Sequence, residues 1–193
     1  MNFDVKRARS YFTFDDGLIF LDHAGHSPLS IPTRAAYEKY FDSWQKTAHR
    51  HDSDSFKMFE DVRAKLALMI NSEPKYIGLA PHTSYGLNIV AAGLKWSKGD
   101  NVVISEKEFP SNVYPWTRLR SQGVDINFAR SKNGFIDEDA IINLANERTR
   151  VINVSWVQFN NGYRVNLEKL GRFCSENGII FCVDGIQGMG VIP

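Results

Sequence analysis

Residues 150–184, RVINVSWVQFNNGYRVNLEKLGRFCSENGIIFCVD, hold two apolar runs separated by a helical segment. The runs, at 150–156 and 179–184, are continuously apolar rather than alternating, and the helix between them is expected to begin near Asn166. Continuous apolar strands joined by helices are typical of a parallel sheet that is covered on both faces. This stretch therefore predicts an α/β fold.

The same alternation of short apolar runs and helical segments begins near Lys75. Three further strands are predicted, YIGLA (76–80), NVVIS (101–105) and VDINFA (124–129). The helices between the strands are expected to begin near Thr83, Ser111 and Asp137. The prediction is a mostly parallel sheet flanked by helices, and such sheets bind ligands beyond the C-terminal ends of their strands.

The N-terminal part of the chain shows a different pattern. A short strand is predicted at 18–21, followed by the loop DHAGHSPLS, which carries His23 and His26. Two amphipathic helices are predicted after this loop. One face of the first carries Tyr37, Tyr40, Phe41, Trp44 and Ala48, and one face of the second carries Phe56, Phe59, Val62, Leu66, Met69 and Ile70.

Composition limits the classes of function. The chain has 193 residues and a net charge of +1, which gives no electrostatic case for nucleic acid or for an acidic membrane surface. No apolar run has the length that a membrane span requires, and the N-terminus lacks the apolar segment of a signal peptide. The two cysteines, Cys174 and Cys182, predict no disulfide framework, and the cytoplasm is the expected compartment.

Polar or aromatic residues follow the first two predicted strands of this region. Thr83 or Ser84 can cap the helix after 76–80, and its N-terminus would favour an anion, although a plain N-cap explains the same residues. Phe109 lies just past the strand 101–105, where its ring could stack on a flat ligand or belong to the core or its rim.

The last two strands are also followed by polar residues. Gln158 lies in a turn closed by Gly162, where amides usually bond the local backbone. Asp184 ends an apolar run, a position where a carboxylate is costly without a partner, and Gln187 follows it. Asp184 could pair with a protonated ring nitrogen or cap the next turn, and Gln187 could donate to a phenolic oxygen. Taken together, the four loops describe a pocket for a phosphorylated pyridine.

Five segments, in order over almost the whole chain, resemble the class V aminotransferase family of fold type I pyridoxal phosphate (PLP) enzymes. This family includes cysteine desulfurases, selenocysteine lyases, isopenicillin N epimerase-like proteins and kynureninase. The segments are FLDHAGHSPLS (20–30), FEDVRAKLALMIN (59–71), HTSYGLNIVAAGL (82–94), EFPSNVYPW (108–116) and VDGIQGMGVIP (183–193). The resemblance implies the PLP-transferase fold type I large domain, with PLP as cofactor.

The resemblance also implies roles for particular positions. Thr83 and Ser84 match the residues that hold the PLP phosphate, Asp184 the aspartate that pairs with the pyridine nitrogen, and Gln187 the residue that bonds the phenolic oxygen. Phe109 matches the histidine that stacks on the ring in desulfurases. Since phenylalanine cannot transfer protons, this position counts against a desulfurase and favours epimerase-like or kynureninase-like members.

Two further assignments follow from the same resemblance. With Gly162 aligned to the family's glycine, Phe159 stands where an asparagine is common, and Gln158 takes over the polar contact. His23 and His26 lie in the loop that approaches the substrate side, although histidines of a solvated loop fit the sequence equally well. Neither cysteine matches the persulfide cysteine of desulfurases, and both are interpreted as small buried hydrophobic residues.

The resemblance implies an organisation in which residues 1–30 form an N-terminal segment with the substrate-side loop, and residues 31–193 form a partial PLP-binding large domain. It places the Schiff-base lysine and the C-terminal small domain beyond Pro193, so this chain alone is expected to be inactive. The intact protein is expected to be a homodimer that acts on an amino acid, as a lyase, desulfurase-like or epimerase-like enzyme.

Two alternatives remain from other functional classes. A non-catalytic relative could retain the fold for binding or assembly. A Rossmann-type nucleotide domain is disfavoured because no G-x-G-x-x-G turn follows the first strand.

Overall fold

The computed structural model describes residues 4–48 and 52–192. The chain divides into two compact units, Met1–Gly78 and Leu79–Pro193. The division of the chain at residue 30 follows expected function, not compactness. That division stays a prediction.

The first unit is helical in its described residues. Its helices are α1 (Val5–Arg9), α2 (Ile31–Thr47) and α3 (Asp52–Met69), followed by a 3₁₀ turn at Pro74–Tyr76. Ser30 caps α2 by accepting the N–H of Thr33, and α2 ends at Ala48, whose φ of 45° is left-handed. Both predicted helices are therefore confirmed, although most residues of their predicted apolar faces are exposed rather than buried.

The predicted strand at 18–21 is wrong. These residues adopt no regular structure, and the carbonyl of Leu21 accepts the N–H of His23 in a turn. An apolar run forms a strand only where a neighbouring strand satisfies its backbone groups, and the described part of the first unit contains no strand. The residues 22–30 form the predicted loop.

The second unit contains a four-stranded parallel sheet. Its strands are β1 (Asn101–Ser105), β2 (Asp125–Ala129), β3 (Thr149–Ser155) and β4 (Ile180–Asp184), in the order β2-β1-β3-β4. Four of the predicted strands and the parallel sheet are thus confirmed. The predicted strand at 76–80 is wrong, because the chain leaves a 3₁₀ turn at Tyr76 and pairs with no strand there.

Helices precede and follow these strands. They are α4 (Thr83–Gly93), α5 (Tyr114–Thr117), α6 (Glu138–Leu144) and α7 (Leu167–Glu176), with 3₁₀ turns at Pro110–Asn112 and Arg118–Gln122. Asp137 and Asn166 cap α6 and α7, as expected. The cap of α4 is His82 rather than Thr83 or Ser84, since His82 Nδ1 accepts the N–H of Tyr85 at 3.1 Å.

The helix predicted near Ser111 is broken into short pieces between 110 and 122. Pro110 and Pro115 lack the N–H that a continuous helix would use, so each proline sits in the first turn of its own short element.

Both faces of the sheet are covered, as continuously apolar strands require. On one face Val103, Ile152 and Val154 pack against α6 and α7 through Ile141 and Leu170. The other face packs against α4 and α5, and its buried members are Leu87, Ala91, Val102, Ile104, Trp116, Leu119, Val124, Ile126 and Val151. No helix within residues 4–48 and 52–192 has the length and apolarity needed to cross a bilayer.

Because all four strands are parallel, the sheet has two chemically distinct ends. The N-terminal edge is defined here by the residues at which the strands begin, and the C-terminal edge by the residues at which they end and by the loops that follow. The loops after β1, β3 and β4 therefore meet at the C-terminal edge.

Candidate functional site

Five buried polar side chains form one hydrogen-bonded group at the C-terminal edge. This edge cluster consists of Glu108, Asn112, Ser155, Gln158 and Asp184. Ser155 and Asp184 end β3 and β4, Gln158 follows β3, and Glu108 and Asn112 lie in the loop after β1. None of the five side chains is more than 8% exposed. Burial of so many polar groups indicates a specific arrangement, because each must be hydrogen-bonded or cost stability.

Glu108 accepts four donors. Its Oε1 accepts the backbone N–H of Ser155 at 2.8 Å and Nε2 of Gln158 at 3.1 Å. Its Oε2 accepts the hydroxyl of Ser155 at 2.6 Å and Nδ2 of Asn112 at 3.0 Å. Burial raises the pKa of Glu108 above its ordinary value, and these donors oppose the rise. The carboxyl group is thus fixed to the end of β3.

Asn112 connects Glu108 to Asp184. Its Nδ2 lies 3.0 Å from Oε2 of Glu108, 2.8 Å from Oγ of Ser155 and 3.0 Å from Oδ2 of Asp184. Two N–H bonds therefore face three oxygen atoms. Oδ1 of Asn112 is buried and has no hydrogen-bond partner among the described residues.

Asp184 is held at both oxygens. Its Oδ2 faces Nδ2 of Asn112, and its Oδ1 accepts the N–H of Ile186 at 3.0 Å in the turn after β4. Asp184 therefore does cap the next turn, as one interpretation of the sequence expected. In the other interpretation, Asp184 pairs with a cationic ring nitrogen. That nitrogen would use an oxygen lone pair of Asp184 that these two hydrogen bonds leave free.

The edge cluster carries two carboxyl groups without a cation. Glu108 and Asp184 both approach the same Asn112 nitrogen, and none of the ion pairs in the described part of the chain includes either residue. Two buried anions in one place are unfavourable unless a proton or a positive group compensates them. This arrangement fits a ligand that presents a protonated nitrogen.

The start of α4 offers a second type of contact. Thr83 and Ser84 are half-buried in the first turn of this helix, whose early N–H groups have no acceptor inside the helix. His82 Nδ1 takes the N–H of Tyr85. Since α4 packs against the turn Pro110–Asn112, the anion-binding end predicted from the sequence belongs to a helix that neighbours the edge cluster.

Two predicted residues flank the edge cluster in the sequence. Phe109, which is 47% exposed, contacts Phe159 edge to face with 5.1 Å between ring centroids. Gln187 is half-buried in the turn after β4. The next residue in this turn, Gly188, is packed so closely that a Cβ would lie 2.4 Å from Cε3 of Trp156. The turn that carries Gln187 therefore rests on the Trp156 ring.

The structure brings two of the predicted residues together. Gln158 and Asp184 meet in the edge cluster, although Nε2 of Gln158 is used by Glu108 and its buried Oε1 has no partner among the described residues. His23 and His26 lie in the first unit, where they are exposed, and their substrate-side role stays a prediction.

Sequence reasoning missed Glu108, Asn112 and Ser155. A signal was available for Ser155, which ends β3, and for Glu108, which lies shortly after β1, but not for Asn112, which lies further along the same loop. Glu108 directly precedes Phe109, the only residue of that loop to which a role was given.

The cysteines have in part the character that the sequence predicted, since Cys174 is buried and Cys182 is half-buried. Burial raises the pKa of Cys174 to about 11, and burial together with the charge of Asp184 raises that of Cys182 to about 11. Both thiols therefore stay protonated at neutral pH and behave as small hydrophobic groups.

Comparison with known proteins gives matches over most of the chain. The family model Aminotransferase class-V matches residues 19–193. A protein named "Probable cysteine desulfurase" from Methanothermobacter thermautotrophicus is 30% identical over 89% of this chain and 44% of its own length. A protein of the same name from Pyrococcus abyssi is 29% identical over 90% of this chain and 45% of its own length. The chain thus spans about half the length of these relatives.

Solved structures confirm the predicted fold. The cysteine desulfurase CsdA from Escherichia coli superposes with a TM-score of 0.86 at 22% identity, covering 99% of this chain and 51% of that one. The cystine C–S lyase C-DES superposes with a TM-score of 0.80 at 22% identity, covering 88% of this chain and 48% of that one. A variant of C-DES holds glycine covalently linked to its PLP cofactor.

Proposed function

The chain belongs to the class V aminotransferase family, and we propose that the intact protein is an enzyme that uses PLP to act on an amino acid. The family is PLP-dependent, as the sequence predicted. The proposed reaction breaks a bond at the α- or β-carbon of the amino acid or inverts its α-carbon. One observation carries the proposal, namely that the buried carboxyl groups of Asp184 and Glu108 at the C-terminal edge form no ion pair within the described part of the chain.

The residues present fit this cofactor. The carboxylate of Asp184 would hold the protonated ring nitrogen, which supplies the positive charge that the edge cluster lacks. Thr83 and Ser84, with the N–H groups at the start of α4, would hold the phosphate. Gln187 would donate to the phenolic oxygen, and Phe109 would pack against the ring. When bound, PLP supplies an electron sink for a substrate carbanion.

The remaining predicted contacts are weaker in support. Oε1 of Gln158 is a buried acceptor without a partner among the described residues, so a donor on the cofactor or the substrate would satisfy it. We assign His23 and His26 to the substrate side on the resemblance alone. A homodimer is proposed on the same ground. The cytoplasm is proposed from the two cysteines, and the absence of a nucleic acid or membrane partner from the net charge of +1 and the lack of a long apolar run.

The relatives and two side chains, Phe109 and Cys182, bear on the type of reaction. Two relatives are named as cysteine desulfurases and one structure as a cystine C–S lyase, which supports an amino acid with sulfur on its β-carbon. Phe109 cannot transfer a proton, and the raised pKa of Cys182 leaves it a poor nucleophile. We therefore propose a lyase, desulfurase-like or epimerase-like reaction in which neither residue takes part chemically.

The test is a PLP titration of the intact protein followed by addition of single amino acids. Bound PLP is expected to change the absorbance spectrum, and a substrate is expected to change it again. Asp184→Ala is expected to lower the turnover of that substrate by at least about a hundredfold, because the ring nitrogen loses its charge partner. A spectrum identical to that of free PLP, or normal turnover in Asp184→Ala, would contradict the proposal.

A further inference from the structure

Asn112 lies between the two carboxyl groups of the edge cluster and touches both. We propose that Asn112, oriented by Glu108, is a positioning residue that fixes the carboxylate of Asp184 for the ring nitrogen of PLP. The inference rests on the proposed function. It adds a chain of contacts that runs from β3 through Glu108 and Asn112 to Asp184.

The first step in this chain is the attachment of Glu108 to β3. The backbone N–H of Ser155 donates to Oε1 of Glu108 at 2.8 Å, and the hydroxyl of Ser155 donates to Oε2 at 2.6 Å. A backbone donor cannot move without the strand, and β3 is an inner strand of the sheet. Glu108 is therefore a rigid acceptor at a fixed place.

The second step is the orientation of the Asn112 amide. The oxygen atoms of Glu108, Ser155 and Asp184 all lie within 3.0 Å of Nδ2. Reversal of the amide would place Oδ1 against two carboxyl groups, which is electrostatically unfavourable. Glu108 thereby ensures that Asn112 presents a donor, and never an acceptor, to Asp184.

The third step is the restraint of Asp184. With Asn112 on Oδ2 and the N–H of Ile186 on Oδ1, the carboxylate has one donor on each oxygen and a defined plane. A group that is held in place before its ligand arrives pays less ordering entropy when the ligand binds. Loss of the Asn112 contact would release one of the two restraints.

A purely structural asparagine in the same sheet looks different. Asn101, at the N-terminal edge, donates from Nδ2 to Asn146 at 2.9 Å and accepts the hydroxyl of Thr149 at 2.8 Å. Both ends of its amide are satisfied, whereas Oδ1 of Asn112 is buried without a partner among the described residues. The side chain of Asn112 donates to two carboxyl groups and one hydroxyl and, among the described residues, accepts no hydrogen bond, at a cost in stability that Asn101 does not carry.

The test compares the same substitution at the two positions in the intact protein. PLP labelled with ¹⁵N in the ring reports protonation of the ring nitrogen through its NMR chemical shift, independently of turnover. Asn112→Ala is expected to weaken PLP binding about tenfold, which is the effect of losing one hydrogen bond to a charged group. It is also expected to move the ¹⁵N shift towards that of neutral pyridine. Asn101→Ala is expected to change affinity by less than about twofold and to leave the shift unchanged.

Unchanged affinity and an unchanged shift in Asn112→Ala overturn the positioning role. If Asn112→Ala does not fold, Ser155→Ala removes a single hydroxyl from the same chain of contacts. That variant is expected to move the shift in the same direction by a smaller amount, and an unchanged shift overturns the proposal there too. A wild-type protein that binds no PLP overturns the proposed function itself, whereas a protonated wild-type ring with unaffected variants overturns only this inference.

Discussion

The two ends of the parallel sheet carry polar clusters of similar size and opposite character. At the N-terminal edge, the buried Asp100 is paired with Arg148 at 3.0 Å and accepts the N–H of Ser97 at 2.8 Å. At the C-terminal edge, Glu108 and Asp184 share an amide nitrogen and have no cationic partner among the described residues. The protein itself supplies the cation at the first cluster, and we propose that a bound ligand supplies it at the second.

This difference separates structural from functional polarity. The carboxyl groups of both clusters are buried and lie at strand ends, so burial and position alone do not distinguish the two clusters. The pairing of the charges does, because a buried charge without a partner is costly in a purely structural cluster. Asn112 and Gln158 each leave a buried oxygen without a partner at the C-terminal edge, within the described part of the chain.

The largest expected effect concerns the phosphate end of the site. The double variant Thr83→Ala with Ser84→Ala is expected to weaken PLP binding by about a hundredfold, because two hydroxyl donors to a charged phosphate are lost. Binding of pyridoxal, which lacks the phosphate, serves as the matched control and is expected to stay unchanged. Equal affinity of wild type and variant for PLP, measured by absorbance titration, would remove the phosphate role from α4.

The next effect concerns the turn that supports Gln187. Gly188→Ala places a Cβ against the Trp156 ring and is expected to lower the free energy of unfolding by about 1–3 kcal/mol. Gly93→Ala, at the exposed end of α4 with no atom within 4 Å of its Cβ, is expected to be neutral or to raise it by up to about 1 kcal/mol. Urea denaturation measures the free energy of unfolding of both variants. Equal values would show that the turn after β4 accommodates the added methyl group without loss of stability.

The fold was predictable where local sequence reflects the tertiary environment. The run at 101–105 forms a strand that is buried along its whole length, as a continuous apolar run indicates. The run at 179–184 forms β4, at one end of the strand order, where Ile180 and Val183 are partly exposed. The equally apolar 18–21 and 76–80 form none, since pairing depends on neighbours that a local pattern does not reveal. A strand needs a partner as well as a composition.

The site was predictable in part for the same reason. Asp184 was identified because a carboxylate at the end of an apolar run is locally conspicuous. Its contact with Asn112 spans 72 residues, and that of Asn112 with Ser155 spans 43. Contacts at such separations leave no local pattern, so the edge cluster emerges only from the folded chain.

A smaller effect distinguishes two glutamates in the loop after β1. Donors from Ser131 and Arg130 lower the pKa of Glu106 to about 2, so the stability that Glu106 contributes is present above the unfolded value of about 4.3 and is lost as the pH falls towards 2. Burial raises the pKa of Glu108, so the stability that its protonation contributes is present below about 4.3 and is lost as the pH rises through the raised pKa.

The PLP-free variants Glu106→Gln and Glu108→Gln test this contrast. The free energy of unfolding is measured across the acid range. Glu106→Gln is expected to remove a rise of stability with pH, and Glu108→Gln is expected to remove a fall of stability with pH. If the pH dependence of stability changed in the same direction in both variants, the charged form of Glu108 would not be destabilising.

No cation within the described part of the chain pairs with the carboxyl groups at the C-terminal edge, and we propose that PLP supplies one. The decisive measurement is the free energy of unfolding of Asp184→Asn and Asp100→Asn, with and without PLP. Asp184→Asn is expected to raise the stability of the PLP-free protein by about 1 kcal/mol and to lose most of the stabilisation by PLP. Asp100→Asn is expected to lower it by about 1 kcal/mol, because Arg148 loses its partner, and to keep the full gain from PLP. Equal destabilisation by both variants, with an undiminished gain from PLP in Asp184→Asn, would contradict the account.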